Sequence, residues 1–437
     1  MRILTGPGQP LLDGALEVEG STIRALGLDL PPPAPLTRIL DRTGMIVLPG
    51  FVQGHIHLCQ TLFRGLADGR RLDRWLRERI WPLEGMLDPD SLRAAARLGI
   101  AETLLHGATT LLDMGTVAHT EVIAEAAEEM GVRAILGKAL MDAGDGIPAE
   151  LHQDPEDAFA EALQLYERWN GRAEGRLKVA FAPRFTLSVS ARLWREIAAQ
   201  ATRRRILVHT HVSETPWENE TCTAMHGTTP IRALEQWGIL EAPAVLVHAV
   251  WTDPGERAAL ARHGTGVIHC PGSNARLGSG IAPLAQLLEA GVAVGLGSDG
   301  AACNDALSIP ADMRLAAQLQ DIAVGPGAVS AQRVFAMATS EGARAIAMAG
   351  EIGTLSAGKR ADFQLYPEGE LGWPGDLPIE DRLVRAVPAA RPAEVYVDGR
   401  PLVADGRLTG FDLEELRREA LRQRGRLRAR FAERHTA

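Results

Sequence analysis

Met45-Ile-Val-Leu-Pro-Gly-Phe-Val-Gln-Gly-His-Ile-His57 is an apolar run that ends in two histidines spaced i, i+2. In an extended strand alternate side chains share a face, so His55 and His57 can grip one metal ion from one side. Imidazole nitrogen is a preferred ligand for zinc and similar divalent metals. A lone His-x-His pair is weak evidence. It becomes strong when matching residues stand at the ends of other strands.

They do. After about residue 49, strand-like runs alternate with helix-length amphipathic stretches, the pattern of parallel βα units. The candidate strands are Met45–Val52, Ala108–Met114, Val132–Leu140, Leu177–Pro183, Ile206–His211, Ala244–Val250, Gly266–Cys270 and Val292–Ser298. Between them lie helical stretches such as Asp90–Leu105, Thr120–Met130, Ala191–Arg203 and Pro230–Trp237, with another near Ser330–Met348 after the last strand. Eight such units predict an α/β protein with a (β/α)8 TIM-type barrel. Residues 1–48 read as short β segments and a proline-rich loop at Pro31–Pro35, and the β texture returns after Gly350. The expected organisation is therefore a barrel over 49–349 and a small β-sandwich domain built from both chain ends. Residues 1–48 form one part of that domain, and 350–437 the other plus a terminal helix.

In such a barrel, catalytic residues stand at the C-terminal ends of several strands. Strand one delivers His55 and His57, strand five His209 and His211 followed by Glu214, strand six His248, and strand eight Asp299. His209 and His211 share a face at different depths; His211 is the favoured ligand because it lies nearer the strand end. For one histidine alone a structural role is the commoner outcome, and Asp299 before Gly300 can simply begin a turn. Chance must place all of them at strand ends of one barrel, which is the weaker explanation.

Composition narrows the class. Of 437 residues, 46% are hydrophobic and 23% charged, ordinary values for a globular protein with a large core. No apolar stretch approaches a membrane span, and Met1-Arg-Ile-Leu-Thr-Gly-Pro-Gly lacks the apolar run of a signal peptide. Cys59, Cys222, Cys270 and Cys303 form no C-x-x-C pair and read as reduced thiols of a cytoplasmic protein. The net charge of −9 argues against nucleic-acid binding. The arginine-rich tail 416–430 is basic, but without aromatics it reads as a terminal helix with a solvated arginine face.

The assembled motifs resemble the amidohydrolase superfamily, in particular its deaminase and chlorohydrolase branch. They are Pro49-Gly-Phe-Val-Gln-Gly-His-Ile-His57, His211-Val-Ser-Glu214, His269-Cys-Pro-Gly-Ser-Asn274, Gly297-Ser-Asp-Gly-Ala-Ala-Cys-Asn304 and Ile352-Gly-Thr-Leu-Ser-Ala-Gly-Lys-Arg-Ala-Asp362. The resemblance implies that His55, His57, His211 and Asp299 hold one divalent metal per subunit, zinc or iron, with a bound water. It assigns proton shuttling to Glu214 and a polarising or water-positioning role to His248, and implies a homo-oligomer. Asp299 can also accept the water proton, and His248 can stabilise the oxygen of a tetrahedral intermediate. Binuclear members of the superfamily carry a carbamylated lysine at the end of strand four. Here that end reads Phe181-Ala-Pro-Arg184, and the chain has only three lysines, Lys138, Lys178 and Lys359, so a mononuclear site is expected.

The implied reaction is hydrolytic deamination of an amino-substituted heteroaromatic ring, with a small molecule as partner. Leu58-Cys-Gln-Thr-Leu-Phe-Arg-Gly-Leu-Ala-Asp68, Trp81-Pro-Leu-Glu84 and the stretch 304–317 resemble the branch acting on 5′-modified adenosines. In that branch the glutamate matching Glu84 binds the ribose hydroxyls. Ala182-Pro-Arg184-Phe185 instead resembles guanine deaminases, whose matching arginine contacts the purine. Gln60 and Trp81 are expected to line the pocket with Glu84 and Arg184. The preferred substrate class is a 5′-modified adenosine such as 5′-methylthioadenosine, S-adenosylhomocysteine or 5′-deoxyadenosine. Guanine deamination and s-triazine amino- or chlorohydrolysis are the alternatives. A non-catalytic structural barrel fits poorly with six intact polar side chains at the strand ends.

Overall fold

The computed structural model describes residues 1–30, 32–33, 37–371, 376–386 and 390–436. The loop expected at Pro31–Pro35 lies mostly outside them.

Parallel strands Phe51–His57, Ala108–Asp113, Arg133–Leu140, Leu177–Pro183, Val208–Val212, Ala244–His248 and Gly266–His269 pair in chain order. The eighth strand comes in two pieces. Val294–Leu296 pairs with the seventh strand, and Asp299–Gly300 pairs with the first through Asp299↔Ile56 and Gly300↔His57. That second pairing closes the barrel. Small residues line the seam, as close approach demands: a Cβ on Gly297 would lie 2.9 Å from the His55 Cβ and backbone nitrogen.

Strand alternation divides the apolar residues between two packings. Val52, Leu112, Ile135, Ala180, Val245, Val247 and Ile268 form one buried cluster that fills the barrel. Their neighbours Leu111, Leu136, Val179, Leu246 and Val267 belong to the clusters shared with the surrounding helices. Those helices include Pro89–Leu105, Thr120–Met130, Ala191–Arg204 and Pro230–Gln236. The first begins at an Asp88 capping box, with Pro89 at its first position.

The expected first strand, Met45–Val52, needs correction. The chain changes sheets at Gly50: Met45–Pro49 joins a separate sheet, while Phe51–His57 is the barrel strand. Both halves are buried, so hydrophobicity does not divide them. Gly50 permits the crossing because a Cβ there would meet Thr109 Oγ1 at 2.1 Å.

That separate sheet has seven strands and interleaves the two chain ends. Its order is Arg407–Leu408, Arg400–Ala404, Glu394–Val397, Phe363–Pro367, Met45–Pro49, Arg2–Leu4 and Leu11–Asp13. The hairpin Ala15–Glu19/Thr22–Gly27 lays Leu16, Val18, Ile23 and Leu26 against Ile3, Val47, Phe363 and Leu365, giving a small sandwich. Asp398 and Gly399 both have positive φ (49° and 72°), as a two-residue hairpin turn requires. The terminal helix, Leu413–Thr436, packs on the helix Pro89–Leu105 through buried Leu416, Ala420 and Leu427. Four of its arginines pair with carboxylates: Arg417 with Glu414, Arg422 with Glu419, Arg430 with Asp88 and Arg434 with Glu150. Among the described residues, no helix is long and apolar enough to cross a membrane.

Barrel and sandwich are joined by a buried ion cluster. Arg133, at the start of the third barrel strand, donates to both Asp362 oxygens (2.7 and 3.0 Å) and to Asp398, while the Asp398 backbone N–H donates to Asp362 at 2.9 Å. All three residues are buried. Removing one partner of such a cluster strands the opposite charge in a low-dielectric interior. Arg133→Met is therefore expected to lose about 3–5 kcal/mol of stability, read as a lower denaturation midpoint in urea. An unchanged midpoint would show that the cluster does not hold the two parts together.

Candidate active site

Three strand ends deliver one group of atoms that could hold a metal ion. The ring nitrogens of His55, His57 and His211 and a carboxylate oxygen of Asp299 all lie within 4.8 Å of one another. His57 Nε2 and His211 Nε2 face each other at 3.2 Å, and Asp299 Oδ1 sits 3.2 Å from His55 Nε2 and 3.4 Å from His57 Nε2. Burial, and then the neighbouring imidazoles, push His57 and His211 well below the ordinary histidine range. Two neutral imidazoles with opposed lone pairs beside a carboxylate form a donor set that a divalent cation fits.

The tautomers agree with that reading. His211 Nδ1–H donates to the Arg184 carbonyl at 2.7 Å, which leaves its Nε2 lone pair facing the cluster. The choice between His209 and His211 is settled by depth. His211 joins the ligand group, whereas His209 lies one pleat deeper, with its Nε2 2.8 Å from His55 Nδ1. With His55 Nε2 turned to the cluster, its Nδ1–H donates to His209. Metal-ligating histidines usually give this proton to a carboxylate or carbonyl; here another imidazole receives it.

His248 and Glu214 stand beside the cluster. His248 Nε2 is 3.6 Å from Glu214 Oε2 and 3.8 Å from Asp299 Oδ2. Burial, the like charges of Asp299 and Glu218 in turn, push the Glu214 carboxyl well above the usual range, against one hydrogen bond from Ser279. Burial also pushes Glu218 up to about 7, and its Oε2 accepts from the Glu214 backbone N–H at 2.8 Å. His248 (φ 75°), Asp299 (φ 61°) and Ser213 (φ 48°), which precedes Glu214, all occupy the left-handed region that non-glycine residues avoid. Such positions cost about 1–3 kcal/mol each and cluster at functional sites.

The cleft above these groups is lined by His57, Gln60, Arg184, His211, Glu214, His248 and Asp299, with an apolar wall of Leu72, Trp75, Leu76, Phe185 and Leu277. Glu84 and Arg184, 100 residues apart in sequence, meet as a buried pair. Arg184 donates through Nη2 to Glu84 Oε1 at 3.1 Å and through Nη1 to Oε2, and Gln60 Nε2 adds a bond to Oε1 at 2.9 Å. Trp81 and Glu84, both expected at the pocket, are not among the residues that line the cleft, and Trp75 lines it. The helical segments around them place Leu72, Trp75 and Leu76 on one face, a spacing the sequence offered. Sequence reasoning also missed Ser273, Asn274 and Ser279, which bond Asp299, His248 and Glu214 respectively. The motif containing Ser273 and Asn274 marks the region, but the distant partners do not show in it.

The sequence profile described as Amidohydrolase family matches residues 46–402. A 5-methylthioadenosine/S-adenosylhomocysteine deaminase of Pelotomaculum thermopropionicum is 34% identical over 430 residues, covering 97% of this chain and 96% of that one. A 5′-deoxyadenosine deaminase of Methanobrevibacter smithii is 33% identical over 411 residues, covering 94% of this chain and 92% of its own. Among solved structures, an adenosine deaminase from Xanthomonas campestris with bound zinc superposes with a TM-score of 0.90 at 28% identity, over 98% of this chain and 97% of that one.

If His209 orients His55 as a metal ligand through the bond between their rings, His209→Phe is expected to keep the fold and weaken divalent-metal binding about 10–100-fold. Competition against a chromophoric chelator measures this. Wild-type affinity in the variant would remove His209 from the ligand-orienting role.

Proposed function

This chain belongs to the amidohydrolase family, and on that premise we propose that it is a metal-dependent hydrolytic deaminase of a 5′-modified adenosine. Substrates of this class are 5′-methylthioadenosine, S-adenosylhomocysteine and 5′-deoxyadenosine, converted to the 6-oxo product with release of ammonia. The observation that carries the reading is the meeting of Glu214, His248 and Asp299 with three histidines at the floor of a cleft whose wall holds Arg184 against Glu84.

A divalent metal in the four-residue donor set supplies Lewis acidity, which brings the pKa of water toward about 7. Asp299 takes the proton from the attacking water. Glu214, kept protonated by burial and neighbouring carboxylates, donates to the ring nitrogen next to the carbon bearing the amine. A C–O bond forms; Glu214 regains the water proton held by Asp299 and passes it to the amine. The C–N bond breaks with release of ammonia, and the added hydroxyl returns its remaining proton to Glu214 as it becomes the 6-oxo group. His248, close to both carboxylates, donates from Nε2 to the oxygen as it gains negative charge. Leu72, Trp75, Leu76, Phe185 and Leu277 provide an apolar surface for a purine and an apolar 5′ substituent.

The Glu84–Arg184 pair supports a nucleoside over a free base. Each hydroxyl of a ribose diol can donate to a carboxylate and accept from a guanidinium, and the pair offers both. Arg184 is bonded to Glu84 rather than turned freely toward a purine edge. Its place in the cleft wall favours guanine deamination as the second reading. One zinc ion per chain completes the proposal, because the three lysines are engaged elsewhere: Lys138 by Gln153 and Glu161, Lys178 by Glu351, and Lys359 by Thr354. The four free, buried cysteines support a reducing, cytoplasmic setting.

Ammonia release measured in parallel on 5′-methylthioadenosine, S-adenosylhomocysteine, 5′-deoxyadenosine, guanine and melamine should rank the nucleosides first; guanine first would select the second reading. Glu214→Gln is expected to retain one metal per chain and lose about 10²–10⁴-fold in kcat. Wild-type turnover in that variant would take proton transfer away from Glu214.

A further inference from the structure

Glu214, His248 and Asp299 come from three different strands, yet each takes a side-chain hydrogen bond from one nine-residue stretch, Pro271–Ser279. Ser273 Oγ donates to Asp299 Oδ2 at 2.6 Å, Asn274 Nδ2 lies 3.0 Å from His248 Nδ1, and Ser279 Oγ donates to Glu214 Oε1 at 2.9 Å. All six residues are buried. The stretch is itself tied down. The Gly272 N–H donates to Asp312, whose carboxylate also accepts from Asn304, and the Trp251 indole donates to the Ser279 carbonyl at 2.7 Å.

The direction of the Asn274–His248 bond follows from the other edge of the ring. Nε2 faces two carboxylate oxygens, from Glu214 and Asp299. The ionised Asp299 carboxylate would repel a bare lone pair there, so the ring proton belongs on Nε2. In a neutral imidazole Nδ1 is then an acceptor that needs a donor, and the Asn274 carboxamide supplies one.

We propose that Asn274 fixes His248 as the Nε2–H tautomer, and that Pro271–Ser279 acts as one positioning unit for the three proton-handling groups. The catalytic consequence rests on the deaminase reading; the tautomer itself does not. Asn274→Asp keeps the shape of the side chain but replaces the donor with an acceptor, which pulls the proton to Nδ1 and strips Nε2 of it.

Two measurements on the zinc-loaded full-length protein test this. In ¹⁵N-histidine NMR spectra, with the His248 signals assigned by comparison with His248→Gln, Nδ1 of His248 is expected to be unprotonated in the wild type and protonated in Asn274→Asp. A protonated Nδ1 in the wild type overturns the proposal whatever the substrate. In kinetics, Asn274→Asp and Asn274→Ala should each lower kcat about 100-fold or more, with KM within about threefold and zinc content unchanged. In a His248→Ala background the same changes should add no further loss. Wild-type kcat in the single variants, or a full additional loss in that background, overturns the positioning role. Absence of ammonia release by the wild type on every substrate counts against the activity reading alone, since the spectra still decide the tautomer.

Discussion

The pairing of Asp299–Gly300 with Ile56–His57 is the contact on which the rest depends. It closes the sheet into a barrel, and in the same register it sets the Asp299 carboxylate beside the two imidazoles of the first strand. A one-residue slip would turn either Asp299 or the histidines away, because side chains alternate along a strand. The eighth strand breaks after Leu296 and resumes at Asp299, and that break lets one strand serve two neighbours at different heights. Gly297 in the gap passes where His55 leaves no room for a side chain.

Holding this geometry is costly. His248 and Asp299 adopt left-handed backbone conformations, and Glu214, Glu218 and Asp299 crowd buried carboxylates together. None of these features stabilises the fold by itself. What keeps them in place is the surrounding structure: the apolar cluster that fills the barrel beneath, the Asp312-anchored stretch from Pro271 to Ser279, and the seven-stranded sheet clamped on through Arg133. A rigid frame that fixes polar groups before the substrate arrives is the condition for electrostatic stabilisation of a transition state, since little reorganisation is left for the reaction itself.

Much of this was written in local patterns. Runs of β-branched and aliphatic residues between amphipathic stretches marked the barrel strands from the second to the eighth, and the His-x-His pair with the other strand-end residues marked the group that could hold a metal. The errors have a common cause. Met45–Val52 looked like one strand because burial on both sides erases the periodicity that would separate two sheets, and only the Thr109 side chain packed against Gly50 reveals the crossing. Trp81 was expected at the pocket from its position in the sequence, whereas Trp75, three residues from Leu72, lines that wall. The bond between His209 and His55 and the three contacts from Ser273, Asn274 and Ser279 join residues from separate strands and turns. No local spacing encodes them; they exist only once the barrel has closed.

Glu84 and Glu214 show how the fold gives two like side chains opposite surroundings. Among the described residues, Arg184 is the cation that lines this cleft alongside the histidines, and it is bound to Glu84 through two hydrogen bonds. Glu84 is thereby half of a buried ion pair. Glu214 faces the opposite surroundings: burial, the Asp299 and Glu218 carboxylates, and a neutral Ser279 hydroxyl. Those surroundings hold its carboxyl well above the usual carboxylate range.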